Sequence, residues 1–506
     1  MVREGSGRGW FARRAPLLVV AIAALAAVAG AVAWQYRSDL KLLSYYVRPI
    51  DDRERIAAKN DGFDVLLLVL DACRADKLSA YGFERPTAPA LDALARDPDA
   101  TLFRRHYANG TWTKPSTASL FTGMFVHEHG AFKSWRPEQG DGTGQSFIAQ
   151  VLPDEVATMA ELFADEGYYT FGAVTGHHID QQFGFAQGFD EYHALGGFGG
   201  DGPRVQVANA LVGATEGNFF GYVHMLGCHY PFPPEVRHAG YMESYGFEYA
   251  EAERIADGVD FTTAAVNSPL NEGRLALTDD DLRFLNLLYE AQIRLMDEEY
   301  IQPILAALKE TGRYDNTLII VTADHGEALY EHQAYAHAGD LLWEEVVHIP
   351  LIVKFPKGMR PTTLGDEVAE LTSSVDLLPA VAQMLERAAP AHARGAPIFG
   401  GTFAGSVLIE GPFCPPALDD CLNSWALLKD DYKLIDAPGE ALLFDLERDP
   451  LEQHSIAEER PELVAQLRAA AAELRGESTS DFLARDVETD LDEEAVRSLR
   501  GLGYIQ

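Results

Sequence analysis

The sequence predicts an α/β protein in which helices flank a doubly wound, mixed sheet. Two observations carry this prediction. Short apolar runs are typical of strands that are buried on both faces, and helical periodicity occupies the segments between them. Alternation of the two patterns is typical of layered α/β folds. The strongest runs lie at 63–70, 170–174, 219–223, 317–321 and 350–353.

Helical spacing of apolar residues predicts helices at 156–166 and within the long segment 278–312. The acidic segment 233–277 has no firm period and is expected to form an inserted cap or loop region. The pattern changes after residue 405, where short strand-like pieces precede an Ala- and Glu-rich helix. These elements are predicted at 425–428, 432–435, 441–444 and 461–474.

This change of pattern defines the expected domains. The segment 61–405 is predicted to be the catalytic domain, and 406–475 a smaller C-terminal subdomain built from a sheet and a helix. The segment 476–506 is predicted to be an acidic tail that is mobile in part.

The N-terminus predicts a membrane anchor. A basic segment, 1–14, precedes 20 residues without a formal charge at 15–34, and a helix of that length spans about 30 Å, the thickness of the hydrocarbon core. Positive charge before the run predicts a cytoplasmic N-terminus, with the catalytic domain outside, in the periplasm or beyond, after a polar tether at 36–60. The alternative is a cleaved signal peptide, because Ala-Val-Ala at 31–33 resembles a cleavage site.

Composition excludes one class of partner. The 506 residues include 41 Lys and Arg against 77 Asp and Glu, a formal net charge of −36, so nucleic acid is excluded as the main partner. A small anionic ester needs only a local site. The acidic surface indicates no interface, so the oligomeric state is left open. Cys414 and Cys421 lie in one loop, and export would allow a disulfide between them.

Acidic and imidazole side chains follow two of the predicted strands. Asp71 follows the first strand, and Asp324 and His325 follow the strand at 317–321. Because ligands bind at the carboxyl ends of strands in open α/β sheets, these side chains predict a divalent metal site. Either aspartate alone could instead cap a helix.

A third segment, 111–123, predicts a helix that presents a hydroxyl at its N-terminus. Pro115 suits the first turn and Gly123 suits the end. Thr113 then lies where free N–H groups and the helix dipole favour an anion. A metal-bound hydroxyl there could attack an ester, although a plain N-cap is the alternative reading.

These motifs together resemble the sulfatase-like branch of the alkaline phosphatase superfamily over about residues 62–460. Their order and spacing are more specific than any single motif. They are 71–76 (Asp-Ala-Cys-Arg-Ala-Asp), 113–116 with 120–123, 184–190, 324–327 (Asp-His-Gly-Glu), 374–379 and 444–450. The resemblance implies the alkaline phosphatase/sulfatase-like fold and a metal-dependent ester hydrolase or transferase.

The resemblance also implies residue roles. Asp71, Asp324 and His325 match metal ligands, and Thr113 matches the nucleophile, which also contacts the metal. His229 and His337, which lies twelve residues after His325, match histidines that contact the substrate or a second metal. Lys114 is a further substrate-contact candidate, with a solvated lysine as the alternative.

Departures from the family pattern change the expected chemistry. Most sulfatases of this family have Cys or Ser where Thr113 stands and Arg where Thr117 stands. Oxidation of threonine would give a ketone, so the formylglycine mechanism is excluded here. Ala72 replaces a usual aspartate and removes one oxygen ligand of the usual calcium site, which favours Zn²⁺ or Mn²⁺ over Ca²⁺.

The leading prediction is a membrane-anchored phosphodiesterase or phosphotransferase that acts on lipid head groups or envelope glycans. One alternative is a sulfuric ester hydrolase that works without formylglycine. Another is a non-catalytic envelope binding protein that retains the fold.

Overall fold

The computed structural model describes ten ranges of the chain, all within one compact unit, Ile56–Gln506. The ranges are 62–132, 136–137, 146–174, 178–195, 202–232, 239–245, 267–337, 340–411, 424–476 and 485–490. The predicted anchor 15–34, the tether 36–60 and the predicted Cys414–Cys421 disulfide lie outside them. Within these ranges, no helix has the length and apolar character needed to cross a membrane.

Eight strands form the central sheet, in the order β12-β2-β11-β8-β1-β7-β5-β6. The sheet is mixed because β11 runs antiparallel to both of its neighbours, whereas the other pairs are parallel. These strands are β1 Asp64–Leu70, β2 Ala100–Tyr107, β5 Tyr169–Val174, β6 Glu191–Ala194, β7 Phe219–Met225, β8 Thr317–Thr322, β11 His348–Lys354 and β12 Glu367–Ser373.

Smaller sheets hold the remaining strands. A four-stranded antiparallel sheet follows the central sheet in sequence, and two short sheets use the other elements. The strands are β3 Arg136–Pro137, β4 Ser146–Val151, β9 Ala328–Leu329, β10 Tyr335–Ala336, β13 Ser406–Gly411, β14 Ser424–Lys429, β15 Tyr432–Ala437, β16 Glu440–Asp445 and β17 Arg485–Asp490.

Twelve α-helices are present in the described ranges, and a π-helical segment, Asp297–Ile301, joins α8 to α9. They are α1 Pro89–Ala95, α2 Thr113–Thr122, α3 Val126–His129, α4 Met159–Asp165, α5 Gly202–Ala214, α6 Ala239–Ser244, α7 Asn267–Asn271, α8 Asp279–Met296, α9 Gln302–Glu310, α10 Glu344–Val347, α11 Leu377–Met384 and α12 Pro461–Arg475.

Burial on both faces of the sheet explains why the central strands are apolar runs in the sequence. Every residue of β1 is buried, so both faces of the sheet are covered. On one face, Val65, Leu67 and Val69 join a cluster that includes Phe121 of α2 and Phe163 of α4. This packing fixes the start of α2 beside the carboxyl ends of the central strands.

The predicted mixed α/β sheet with a smaller C-terminal sheet is confirmed. The strands that are additional to the prediction are β2, β3, β4, β6, β9, β10, β12, β13 and β17. Edge strand β12 alternates exposed and buried residues at its start instead of forming an apolar run, so it lacks the signal that marks the central strands. The prediction for the tail was incomplete, because β17 pairs antiparallel with β4.

A buried ion cluster links the C-terminal sheet to the rest of this unit. Lys433 of β15 is fully buried, and its Nζ lies 3.0 Å from Glu344 Oε1 of α10 and 2.9 Å from Glu452 Oε1. The two carboxylates compensate the buried ammonium group. The C-terminal sheet therefore shares polar as well as apolar contacts with the catalytic region.

Candidate functional site

Three neighbouring parallel strands end at the same edge of the central sheet and supply the site. β1 lies between β7 and β8, with Val69 paired to His224 on one side and to Thr322 on the other. Asp71 follows β1, His224 lies one residue before the end of β7, and Asp324 follows β8. Because parallel strands carry their carboxyl ends to one edge, these three side chains converge there.

The convergence has the geometry of a metal site. One ligand atom each from Asp71, His224 and Asp324 lies within 4.8 Å of the other two, and all three residues are buried. His325 Nε2 adds a second imidazole, 3.4 Å from Asp71 Oδ1 and 3.7 Å from Asp324 Oδ2. Thr113 Oγ1 lies 3.4 Å from the same nitrogen.

His224 is the member of this set that the sequence analysis did not identify. Its Nε2 lies 3.3 Å from Asp324 Oδ2 and 4.0 Å from Asp71 Oδ2. The local signal is an imidazole directly after an apolar run, one residue before the end of β7, and it does not show which strand lies beside β7. The predicted strand stopped at residue 223, one residue before His224.

Thr113 begins α2, as the sequence predicts, and Trp112 precedes it in extended conformation. Gly123 ends the helix at φ 66°, a left-handed conformation that glycine adopts without strain. Every residue of α2 is buried. The hydroxyl of Thr113 therefore lies at a helix N-terminus that is shielded from bulk water, where the dipole favours negative charge.

The three histidines at 229, 325 and 337 each use Nδ1 for a local hydrogen bond. His325 Nδ1 donates to the Gly326 carbonyl at 2.8 Å, and His229 Nδ1 donates to the Tyr230 carbonyl. This arrangement makes Nε2 the nitrogen that His325 presents to Asp71 and Thr113. A metal-binding imidazole needs this tautomer, with its other nitrogen held by an acceptor.

At pH 7 the imidazoles of His229, His325 and His337 are neutral, and the carboxylate of Asp324 is ionised. Burial lowers the pKa of His325 to about 4, of His337 to about 4 and of His229 to about 3. Burial alone would raise the pKa of Asp324, but His325 and His224 outweigh it and hold that pKa well below its usual range. Neutral imidazole and ionised carboxylate are the forms that bind metal.

The backbone beside Asp71 is constrained. Ala72 has φ 59°, a left-handed conformation that costs a residue with a Cβ about 1–2 kcal/mol. The hydroxyl of Tyr289 donates to the Ala72 carbonyl at 2.7 Å and accepts from the Arg74 N–H at 3.0 Å. The Ala72 N–H donates to Asp324 Oδ1 at 3.3 Å. The turn after β1 is thus tied directly to the carboxylate that follows β8.

Glu327 connects two of the predicted substrate histidines. Its Oε1 accepts from His337 Nδ1 at 2.9 Å, and its Oε2 accepts from the backbone N–H of Tyr230 at 3.0 Å. Burial raises the pKa of Glu327 to about 7, although His229 and the Tyr230 N–H favour its charged form. The rings of His229 and His337 lie 4.7 Å apart, and those of His325 and His337 lie 4.1 Å apart.

The burial of Lys114 differs from one alternative considered from the sequence, a solvated lysine. Lys114 is buried rather than solvated, and its Nζ lies 4.6 Å from the ring centroid of Phe183. The alternative of a solvated lysine is therefore excluded. Contact between Lys114 and a substrate stays a prediction.

The donor set fits a divalent cation. Two buried carboxylates and two imidazoles meet with one hydroxyl, and buried anionic groups are stable when a cation compensates them. Nitrogen donors beside carboxylates suit Zn²⁺ or Mn²⁺ better than Ca²⁺, which prefers oxygen ligands alone. Asp71, Thr113, Asp324 and His325, with His224, would hold such an ion.

Comparison with known proteins identifies the family. The family described as Sulfatase matches residues 64–386. The multifunctional alkaline phosphatase superfamily protein PehA of Trinickia caryophylli is 25% identical over 478 residues, which cover 78% of this chain and 91% of that protein.

Solved structures share the fold. The phosphonate monoester hydrolase of Agrobacterium radiobacter superposes with a TM-score of 0.63 at 20% identity, covering 82% of this chain and 96% of that one. BT4656, solved in complex with its substrate D-glucosamine-2-N,6-O-disulfate, superposes with a TM-score of 0.64 at 18% identity, covering 83% and 99%. Similar proteins thus include both phosphonate and sulfate ester hydrolases.

Proposed function

Because the chain belongs to the sulfatase family and is an ester hydrolase of the alkaline phosphatase superfamily, we propose that it cleaves phosphodiesters with Thr113 as the nucleophile. The observation that carries the proposal is the placement of Thr113. Its Oγ1 lies at the N-terminus of a buried helix, 3.4 Å from His325 Nε2. The hydroxyl of a threonine in this position can attack phosphorus, but its oxidation would give a ketone and not a formylglycine.

A divalent metal bound by Asp71, Asp324, His325 and His224 would supply Lewis-acid activation of the Thr113 hydroxyl and charge neutralisation at the phosphoryl oxygens. The chain supplies the rest. Thr113 Oγ1 loses its proton to solvent and forms a bond to phosphorus, while the opposite P–O bond breaks and its electron pair leaves with the departing oxygen.

The outcome of this step is a threonine phosphodiester. Water then releases the phosphate monoester and regenerates Thr113, which is hydrolysis; an acceptor hydroxyl in place of water gives transfer. The start of α2 stabilises negative charge on the phosphoryl group through its free N–H groups. His229 and His337 are the proposed substrate contacts, because their rings pack beside His325. Lys114 is a further proposed contact.

Turnover by the full-length protein tests the proposal. With Zn²⁺ or Mn²⁺ present, we expect bis-p-nitrophenyl phosphate to be cleaved and Thr113→Ala to lower kcat by about 1,000-fold or more, because a nucleophile cannot be replaced by a methyl group. Thr113→Ser should retain measurable activity. Thr122→Ala is the matched control, because that hydroxyl donates to the Ala118 carbonyl at the far end of the same helix. Full activity of Thr113→Ala would refute the proposal.

Sulfate ester cleavage is the second candidate, favoured by the similarity to BT4656, which was solved with a sulfated sugar. It ranks lower because a sulfated threonine lacks the hydrate route by which formylglycine expels sulfate. Turnover of p-nitrophenyl sulfate but not of the phosphodiester, with loss in Thr113→Ala, would reverse the ranking.

The proposed natural substrates are lipid head groups or envelope glycans, and this part rests on the apolar segment 15–34 alone. Such an anchor would hold the site close to the non-cytoplasmic face of the membrane that it spans. Fractionation of cells that express the full chain, compared with a variant lacking residues 1–35, would test it. Recovery of both proteins in the soluble fraction would contradict the anchor.

A further inference from the structure

Glu327 is a fully buried carboxylate to which the proposed mechanism gives no role. It follows Gly326, where an added Cβ would lie 2.2 Å from the Glu345 carbonyl oxygen, so the chain here passes too close to its neighbour for any other residue. The main-chain carbonyl of Glu327 accepts from Arg74 Nη1 at 3.1 Å. The position of Glu327 is therefore fixed from two directions.

One carboxylate oxygen of Glu327 orients His337. The distance from Oε1 to His337 Nδ1 is 2.9 Å, and the two side chains are 0% and 1% exposed. When the carboxylate is ionised, Nδ1 must carry the hydrogen, and Nε2 is the nitrogen that His337 offers to other groups. Carboxylates that hold the second nitrogen of a histidine fix its ring and tautomer in this way.

The other carboxylate oxygen holds the segment of His229. Oε2 accepts from the backbone N–H of Tyr230 at 3.0 Å, and Tyr230 directly follows His229. The two histidine rings meet at 4.7 Å and 76°. One buried carboxylate thus sets the spacing between two imidazoles that come from different parts of the sequence.

We propose that Glu327 is a positioning residue that fixes the tautomer of His337 and its spacing from His229, so that both imidazoles face the substrate in one arrangement. The kinetic consequences rest on the proposed function, whereas the tautomer assignment does not.

The substitution Glu327→Gln separates the two hydrogen bonds. An amide has one oxygen, whereas the carboxylate accepts from two N–H groups. The Tyr230 N–H cannot reverse its polarity, so the amide oxygen faces Tyr230 and the amide NH₂ faces His337. Nδ1 of His337 must then accept, and the hydrogen moves to Nε2. The variant keeps the shape of the site but moves the hydrogen of the His337 imidazole from Nδ1 to Nε2.

Kinetics at pH 8 form the first arm of the test. For bis-p-nitrophenyl phosphate we expect Glu327→Gln to lower kcat/KM by about 10–100-fold, with unchanged metal content per chain. In a His337→Ala background the same substitution should cost less than about 2-fold, because its effect passes through that ring. An equal cost in both backgrounds, or loss of metal, would overturn the proposal.

A matched control is available on a neighbouring element. Glu345 is buried and its Oε1 lies 2.7 Å from His332 Nδ1, so Glu345→Gln alters another carboxylate–histidine pair that is distant in role from the metal set. We expect its kcat/KM to stay within about 3-fold of the wild-type value. A loss as large as that of Glu327→Gln would show a general packing effect and overturn the positioning role.

The second arm needs no activity. In protein labelled with ¹⁵N at histidine, long-range ¹H–¹⁵N spectra of the zinc-loaded full chain should show Nδ1–H at His337 in the wild type and Nε2–H in Glu327→Gln, with the signal assigned by its loss in His337→Ala. The same tautomer in both proteins would overturn the inference. If the wild type cleaves neither ester, the proposed function fails while this arm still decides the role of Glu327.

Discussion

His224 is the proposed metal ligand that no sequence motif marks. It brings an imidazole to two carboxylates from the strand beside β1, in a chain where Ala72 removes a usual carboxylate. Ala72 occupies the turn that follows Asp71, whereas His224 reaches the same edge from β7. The exchange of an oxygen donor for a nitrogen donor favours Zn²⁺ or Mn²⁺.

Removal of this imidazole is expected to weaken metal binding directly. We predict that His224→Ala lowers the affinity for Zn²⁺ by at least about 10-fold, since even groups one step removed from a metal contribute 10–100-fold. Competition with a chromophoric chelator measures the affinity. The control is His193→Ala, because His193 lies on edge strand β6 and pairs with Glu191 at 2.9 Å. Equal affinity of wild type and His224→Ala would contradict the assignment.

The site residues that belong to sequence motifs could be predicted from the sequence. Asp71, Thr113, Asp324 and His325 belong to motifs, and the structure brings all four together. His224 belongs to none of them, and it contributes because β7 happens to be hydrogen-bonded to β1. Pairing of strands that are distant in sequence is not encoded in local periodicity, so local patterns cannot identify such a ligand.

The loop between His325 and His337 is the element that joins the site to the C-terminal part of the chain. His332 lies in this loop, stacks on Trp343 at 3.9 Å and 5°, and its Nδ1 lies 2.7 Å from Glu345 Oε1. Its Nε2 lies 3.3 Å from the Glu452 carbonyl oxygen. These contacts attach the middle of the loop to Trp343, to α10 and to the segment around Glu452.

This element should make stability depend on pH. Burial would lower the pKa of His332, but the hydrogen bond and charge of Glu345 outweigh it and raise that pKa above 6.5. The stabilisation is therefore complete below pH 6.5 and is lost as pH rises through the folded-state pKa.

We expect the thermal midpoint of the wild type to fall between pH 6 and pH 8.5 by about 1–2 °C more than that of His332→Gln, because one ion pair shifts the midpoint of a chain of this size by only a few degrees. Calorimetry on the two proteins, with Glu345→Gln as a second variant lacking the pair, measures the difference. Parallel curves for all three proteins would show that the pair has no part in the pH dependence.

At the scale of the whole molecule, the layered α/β architecture was predictable because the central strands are covered on both faces. Strands such as β1 and β8 are buried throughout, and they produced the apolar runs. Strand β12 lies at one edge of the central sheet, and β17 pairs through contacts with β4 far away in sequence. Burial on a single face or pairing at long range leaves little local signal.

The whole molecule carries a formal net charge of −36, whereas the proposed substrate is an anionic ester. Positive groups at the site would offset the repulsion between the acidic chain and such a substrate. The start of α2 supplies positive potential beside Thr113, and a divalent cation held by Asp71, His224, Asp324 and His325 would add to it. The central claim of the proposed mechanism is that Thr113 becomes covalently attached to the substrate.

Capture of that intermediate tests the central claim most directly. Full-length protein loaded with Zn²⁺ is mixed with bis-p-nitrophenyl phosphate and quenched in acid within the first turnover, and peptides covering 111–123 are analysed by mass spectrometry. We predict a p-nitrophenyl phosphate adduct on Thr113, an equivalent adduct in Thr113→Ser and none in Thr113→Ala. Undiminished turnover with an unmodified Thr113 peptide, or turnover that survives in Thr113→Ala, would contradict the account.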